Sequence, residues 1–537
     1  MKMSRFSDHP YNPYVIIFLL CAASFAPFSG KAFHMDSPVT VYMARQMTHN
    51  IWNPVLGHYG VLLSFWNHTD LPATSAFYAT PHPPLIPVYL TGFVALFGEN
   101  EMVLNWTMFP FFFLSVLFFF RIASLWLPRW RLESTLLFLV SPVVFVNSQN
   151  VMLDVPLTAF CMAAFFYLFR GNGAKDAVYA GCFTALALLT KFTGASVLVS
   201  GILIYALSRQ WRFCCCFLVP CVVLYGLDIA HDVSLWGTTQ LSANGHAHYI
   251  LGDIRYRFER LVSYVGGAIV LPVFPLIFLL GMKKFRVAAL CATGAASLWA
   301  YLLYSKLHYS VPSAALYGLC ASAGSALLYG TIVFLLKDKR KPWGQGLASH
   351  VVLQIVGGGF LTLYSARYLL PVVFACVLFL ASVIDSLDKR VSKKLIWAVL
   401  ILSSAAISAL LSESDYQYVE AERRVARDIR TGFPDNTIFY SGRLGYLYYA
   451  DRAGFLNLMV DGRRPLAGDI VLRNTASRDD ACYFTDTTQY SLVTDFHYPL
   501  FPLRAMTGRA GFYGNDRLPY AWVWPPKDRV FLVYRKR

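Results

Sequence analysis

The sequence is dominated by apolar runs of about the length a helix needs to cross a bilayer, roughly 20 residues. Thirteen can be read, at 13–30, 102–124, 134–149, 155–170, 177–190, 193–208, 213–228, 261–281, 287–304, 312–336, 350–366, 368–385 and 395–411. In hydrocarbon every backbone N–H and C=O must pair within its own segment, so such runs have to be helical. Composition agrees: 56% of residues are hydrophobic and 14% charged, where an ordinary soluble domain carries about 25% charged. A water-soluble fold is excluded. The expected fold class is mainly α, a polytopic membrane protein with about 13 transmembrane helices.

One further run, Pro83 to Gly98, is short, because its residues rise only about 23 Å as helix against a hydrocarbon core of about 30 Å. Charge decides its placement, since Lys and Arg beside spans are retained in the cytoplasm. With this run lying on the outer surface, 20 of the 28 Lys and Arg before residue 412 fall inside, among them Lys2, Arg121, Arg212, Lys283, Lys341 and Lys394. Letting it span would turn the later basic loops outward. Pro83 to Gly98 is therefore predicted to be an interfacial helix within a long outer loop, residues 31–101. The stretch Tyr14 to Phe28 follows Lys2 and Arg5 as a signal peptide would, but no convincing cleavage site follows it, and it is read as a retained first span.

Residues 1–411 thus form the membrane domain, and residues 412–537 a soluble domain that an odd number of spans puts on the outer side. This domain opens with an amphipathic pattern from Val419 to Ile429, stopped by Gly432 to Pro434. The runs Thr437 to Tyr440, Gly445 to Tyr449 and Arg529 to Tyr534 read as strands, giving a small mixed α/β unit. The formal charge of +16 is a matter of topology rather than nucleic-acid binding, for no stacking platform accompanies the one basic run, Lys337 to Lys341. Ten of the eleven cysteines lie in apolar runs, so no disulfide framework is called for.

Ionisable groups near membrane depth are costly and default to functional candidates. Asp36 follows the first span on the outer side, where a helix cap is the plain alternative. Asp154 opens the fourth span on the same face, again with a cap as the alternative. Lys191 sits between two apolar runs with almost no loop, and can reach only lipid headgroups or a protein pocket. Arg367 is a second outer-face cation whose planar fork suits a phosphate. Two carboxylates and two cations on one face form a coherent chemical set. A carboxylate can take the proton of an attacking hydroxyl or amine, while fixed cations stabilise charge growing on a phosphate leaving group.

These residues sit in recognisable surroundings: Met35-Asp36-Ser37-Pro38 with Tyr42, His82-Pro83-Pro84-Leu85, Met152-Leu153-Asp154-Val155-Pro156-Leu157, Thr190-Lys191-Phe192-Thr193-Gly194 and Ala366-Arg367-Tyr368-Leu369-Leu370-Pro371. In order and spacing they resemble the GT-C superfamily of integral membrane glycosyltransferases, in particular the branch of lipid A aminoarabinose transferases and protein O-mannosyltransferases. The resemblance implies Asp36 as catalytic base, Asp154 and Lys191 beside the donor phosphate, and His82 and Tyr42 as outer-loop members of the site. Many relatives carry Asp-Glu where this chain has Asp36-Ser37, so a second carboxylate is missing there.

The expected function is inverting transfer of a sugar from a polyprenyl-phosphate donor, its lipid-linked substrate, to a lipid, glycan or protein acceptor on the non-cytoplasmic face. No cofactor is required by this chemistry. Some relatives bind a divalent metal, and His246 and His248, together with Asp228, His231 and Asp232 ahead of Leu261, form a weak candidate for one. The partners expected are the bilayer, the lipid-linked sugar and the acceptor, with no nucleic acid. The expected location is the bacterial inner membrane, with the site and the C-terminal domain periplasmic. A transporter or flippase of lipid-linked saccharides is the alternative, but it predicts midplane charges and paired broken helices. An inactive relative is a third reading.

Overall fold

The computed structural model describes residues 12–52, 82–237, 239, 254–269, 286–307, 310–338, 340–360, 365–387, 392–441, 444–458, 463–475, 488–506, 510–514 and 516–537. Lys2, Arg5, Lys283, His246, His248 and much of the 261–281 run lie outside the described residues. Helices occupy most of the apolar runs, as at Phe109–Trp126, Asp154–Arg170, Ala174–Thr190, Trp211–Trp236 and Val311–Lys337. Among the described residues, five helices are long and apolar enough to cross a membrane: Glu101–Trp126, Trp211–Leu235, Val311–Lys337, Ala366–Ser386 and Lys393–Gly432. The expectation of thirteen is thus met in type of element but not in number. Several of the other runs form shorter helices; Asp154–Arg170 and Ala174–Thr190 have 17 residues each.

Two differences from the sequence reading have local causes. The run 134–149 is two helices, Arg131–Val140 and Pro142–Asn147, which meet at Ser141 with ψ at 129°. Pro142 has no N–H to donate and disfavours helical backbone in the residue before it, so the break falls there. The span at 395–411 and the amphipathic segment Val419 to Ile429 are one helix, Lys393–Gly432, of 40 residues. Nothing between Ser412 and Tyr418 is a Gly or Pro, so nothing stops it. The boundary at 411/412 therefore falls inside a continuous helix.

Val373–Ser386 runs through the middle of the bundle, with every residue from Val373 to Ala381 buried. Trp211–Leu235 is peripheral, and Val219, Val222, Val223 and Leu227 on it are exposed, an apolar face suited to lipid. Leu85–Phe97 is a helix of 13 residues that packs against Ser37–Met47.

The C-terminal unit holds a five-stranded sheet in the order β2, β1, β3, β7, β4, where β1 is Ile438–Tyr440, β2 Leu456–Asn457, β3 Ile470–Asn474, β4 Tyr490–Tyr498 and β7 Arg529–Lys536. A small pair, β5 (Leu503–Arg504) with β6 (Ala521–Trp522), lies apart. The run Gly445 to Tyr449, expected as a strand, belongs to a helix, Leu444–Arg452. The reason is topological: β1 and β2 are parallel neighbours, so the chain must cross over between them, and a helix is the usual crossover. Ile438, Tyr440, Ile470, Phe531 and Val533 form one apolar cluster with Val425 and Ile429 of the long helix and with Phe33, Tyr42 and Leu90 of the outer loop. That shared core fixes the outer loop against the C-terminal unit.

Candidate active site

The first helix ends before Ser29, and the chain then turns through Met35, whose φ of 47° is left-handed and costs a non-glycine residue about 1 kcal/mol. This strained turn delivers Asp36 just ahead of the helix Ser37–Met47. Asp36 stands at the cap position, yet its side chain makes no capping hydrogen bond. Its Oδ2 instead accepts from Arg367 Nη2 at 2.5 Å. Arg367 comes from the 3₁₀ turn Ala366–Val372, held to the C-terminal unit by the Ala366 amide donating to the Gly511 carbonyl at 3.1 Å.

Asp154 opens the helix Asp154–Arg170 and also caps nothing with its side chain. Its Oδ1 accepts from Lys191 Nζ at 2.7 Å, and its Oδ2 lies 3.9 Å from Arg367 Nε. Lys191 has extended backbone, φ −161° and ψ 137°, between the helix Ala174–Thr190 and the turn Phe192–Gly194. The turn sits so close to the helix that a Cβ on Gly194 would lie 2.6 Å from the carbonyl carbon of Ala187. Buried beside Asp154, the Lys191 ammonium does not reach for lipid, and it stacks 3.9 Å from the ring centre of Tyr368. The Arg367 guanidinium lies 5.2 Å from the same ring.

Asp36, Arg367, Asp154 and Lys191 thus form a row of alternating sign drawn from four distant segments. Three of the four side chains are at most 7% exposed, whereas that of Asp36 is 49% exposed. The row therefore opens to solvent at Asp36. Burial alone would raise the Asp36 carboxyl, but the charge and hydrogen bond of Arg367 hold it below its ordinary value. His82 stands near enough to feel Lys191, Asp154, Asp36 and Arg367; burial, then Lys191, pushes its imidazole down to about 3. Tyr42 does not join this row. Its hydroxyl donates to Asp451 Oδ2 at 2.8 Å, tying the outer loop to the C-terminal unit.

Three features were not predicted from the sequence. Tyr368 lies between the two cations, in a motif whose charged neighbour drew attention first. A second buried group lies alongside: Lys31 Nζ donates to Asp415, to which the Tyr513 hydroxyl also donates at 3.1 Å, and His34 Nε2 is 3.4 Å from the other carboxylate oxygen. Lys31 and Asp415 sit at span ends, where sequence alone makes a charge unremarkable. The third is a brace through His350, whose Nε2 lies 2.9 Å from the Pro371 carbonyl and whose Nδ1 lies 2.9 Å from Ser196 Oγ. A carbonyl can only accept, so Nε2 carries the proton; the single Ser196 hydroxyl proton is shared between Nδ1 and the Thr193 carbonyl, each 2.9 Å from Oγ. Gln354 Nε2 then donates to Ser196 Oγ at 2.8 Å and to the Thr193 carbonyl at 3.0 Å. The brace spans from the turn after Lys191 to the turn that carries Arg367.

Among the described residues, no group of three or more His, Cys, Asp or Glu is placed to hold a metal. Asp36 and Asp154 face cations, so the row as it stands does not fit a divalent ion.

Part of this helical membrane bundle, carrying Asp154 and Lys191 of the row, is similar to a family of glycosyltransferases. The model of the dolichyl-phosphate-mannose-protein mannosyltransferase family matches residues 81–236, the stretch that carries His82, Asp154 and Lys191. No curated protein matches the chain. Solved structures of low similarity include ArnT from Cupriavidus metallidurans bound to undecaprenyl phosphate, 14% identical over 90% of this chain and 95% of that one, TM-score 0.41. The Archaeoglobus fulgidus oligosaccharyltransferase in complex with Zn and sulfate is 13% identical over 85% of this chain and 63% of that one, TM-score 0.49. The archaeal oligosaccharyltransferase AglB from Archaeoglobus fulgidus, in complex with an inhibitory peptide and a dolichol-phosphate, is 11% identical over 86% and 66%, TM-score 0.49. These scores are too low to define a shared fold.

Proposed function

We propose that the chain transfers a sugar from a polyprenyl-phosphate donor to a hydroxyl or amine of a lipid, glycan or protein acceptor, with inversion at the anomeric carbon. The observation that carries this reading is the alternating row Asp36, Arg367, Asp154 and Lys191, open to solvent only at Asp36. The matched family's name, a dolichyl-phosphate-mannose mannosyltransferase, supports a phosphate-linked donor. The bond formed joins the acceptor heteroatom to the anomeric carbon; the bond broken joins that carbon to the phosphate oxygen. The acceptor proton passes to Asp36, and the electron pair of the broken bond stays on the polyprenyl phosphate. Lys191 and Arg367 stabilise that charge, while Asp154 keeps both cations in place. Base on one side of the sugar and leaving group on the other give inversion.

The pairing of Asp36 with Arg367 has a mechanistic use. A carboxylate bound to a guanidinium is a poor base. As Arg367 turns toward the departing phosphate, that restraint relaxes and Asp36 gains basicity when the proton must be taken. The site would face the periplasm of a bacterial inner membrane.

The test is single-turnover transfer by purified protein, with radiolabelled polyprenyl-phosphate sugars and membrane-extract acceptors. Wild type should transfer, and Asp36→Asn and Lys191→Ala should be slower by about 10²-fold or more, measured under conditions where each variant remains folded. Full activity in Asp36→Asn would remove Asp36 as the base. No transfer or hydrolysis with any donor would favour a flippase or an inactive relative.

A further inference from the structure

A cavity of about 290 Å³ lies between the outer loop and the C-terminal unit, lined chiefly by Gly30, Glu99, Glu101, Arg423, Tyr449 and Arg452. None of these residues belongs to the charge row. We propose that this cavity is a carbohydrate subsite that grips a polyhydroxylated part of the acceptor. The inference rests on the sugar-transfer reading and deepens it by naming the acceptor's chemistry.

The wall carries planar polar groups that are tied to one another but not used up. Glu101 accepts from Arg423 Nη1 at 2.6 Å and from the Tyr449 hydroxyl at 2.6 Å. Glu99 accepts from the Tyr448 hydroxyl at 2.8 Å and from Arg452 Nη1 at 3.2 Å, and its other oxygen pairs with Arg45 Nη1 at 3.2 Å. A carboxylate offers about four acceptor sites and a guanidinium five donors, so each keeps capacity for a ligand. Planar carboxylates and guanidinium forks present paired sites, which match neighbouring hydroxyls on a sugar ring. Charge points the same way: with their partners Arg45 and Glu420 counted, Glu99, Glu101 and Glu420 balance Arg45, Arg423 and Arg452, so a phosphate or a cationic peptide gains no net attraction. Met102 is the one large aliphatic side chain on the wall, which disfavours a lipid tail.

Position ties the cavity to the chemistry. Gly30 begins the segment that leads to Asp36, and six residues span at most about 20 Å. Midway, the Phe33 amide donates to the Tyr449 hydroxyl at 2.7 Å, so a cavity side chain is bonded directly to the segment that carries the base. A glycan chain held beside Gly30 thus has its anchor within about 20 Å of Asp36, a span of a few sugar units. This gives the C-terminal unit, through Tyr449 and Arg452, a part in acceptor choice.

The experiment uses the full chain in nanodiscs and saturation-transfer NMR with methyl glycosides, free oligosaccharides and glycolipids embedded in the disc. Variants are Arg452→Ala and Gly30→Leu. The second removes no charge, and a Cβ at Gly30 meets only Met102 Cε, at 3.8 Å, so it fills the cavity without a clash at its first atom. At least one sugar should bind wild type and Asp36→Asn alike, and bind at least tenfold more weakly to both cavity variants with unfolding temperature retained. Binding of free sugars would mark the glycan itself as the ligand, and binding of glycolipids alone would mark a lipid-linked headgroup; either supports the subsite. Binding of no sugar, binding that survives both variants, or binding of peptides alone would overturn it. Sugar binding by a protein that neither transfers nor hydrolyses any donor would sink the enzymatic reading and leave the subsite standing.

Discussion

Lys191 and Asp154 meet at 2.7 Å from opposite ends of two neighbouring helices. Asp154 opens Asp154–Arg170, and Lys191 follows the last residue of Ala174–Thr190. Each charge thus sits at the helix end that favours its sign, negative at an N-terminus and positive at a C-terminus. Both side chains are nearly removed from solvent, so neither can lose its partner cheaply.

Lys191→Ala should therefore cost about 3 kcal/mol of stability, because it leaves a buried carboxylate with only the Arg367 guanidinium 3.9 Å away. Turnover should fall about 10²- to 10³-fold, as when one transition-state charge donor is lost. Adding Asp154→Asn should return much of the stability and none of the turnover. Chemical unfolding in detergent beside the transfer assay separates the two effects.

Arg367→Lys should alter the pH profile. In wild type Arg367 holds Asp36 below its ordinary value, so the base stays ionised and activity persists as pH falls through 5. The stability due to this pair is likewise complete above the unfolded value of about 3.9 and is lost only as pH falls through the lower folded one. Lysine lacks the planar fork, so the acid limb of the rate profile should move up. An unmoved limb would show that Arg367 does not govern Asp36.

Gly194→Ala removes no charge and touches no substrate, yet its Cβ would lie 2.6 Å from the Ala187 carbonyl carbon. The turn must shift, and Lys191 with it. Transfer should drop by about 10²-fold, the usual result of an ångström of misplacement, with less change in donor affinity. Donor titration against single-turnover rate gives both quantities.

His34 predicts a stability loss in acid. Burial, opposed by Asp415, pushes its imidazole down to about 3, below the unfolded value of about 6.5. Between these limits the unfolded chain binds the extra proton, so stability should fall as pH drops from about 6.5 toward 3, by up to about 1.4 kcal/mol per pH unit. His34→Phe should flatten that slope. Unfolding temperature against pH, compared between the two proteins, is the measurement.

Asp36, Asp154, Lys191 and Arg367 were legible because charge beside apolar runs is costly wherever it occurs. Their pairing was not, since Asp36 and Arg367 are 331 residues apart and no local pattern records a contact of that range. Lys31 and Asp415 escaped notice because a charge at the end of an apolar run is ordinary. The helix Leu444–Arg452 escaped because its apolar, aromatic composition also suits a strand, and only the parallel pairing of β1 with β2 demands a crossover. The break at Ser141 was readable from Pro142, whereas the unbroken passage from 393 to 432 was hidden by the assumption that a domain boundary needs a joint.

That passage has a mechanical consequence. Forty residues of helix make a rod about 60 Å long, rooted in the bundle at Trp397 and packed at Val425 and Ile429 against the sheet. Asp415, near its midpoint, is pinned to Lys31. Nothing along the rod can act as a hinge without breaking backbone hydrogen bonds. The sheet therefore moves only as the rod tilts within the bundle, and it carries with it Phe33, Tyr42 and Leu90 of the outer loop, which share its core.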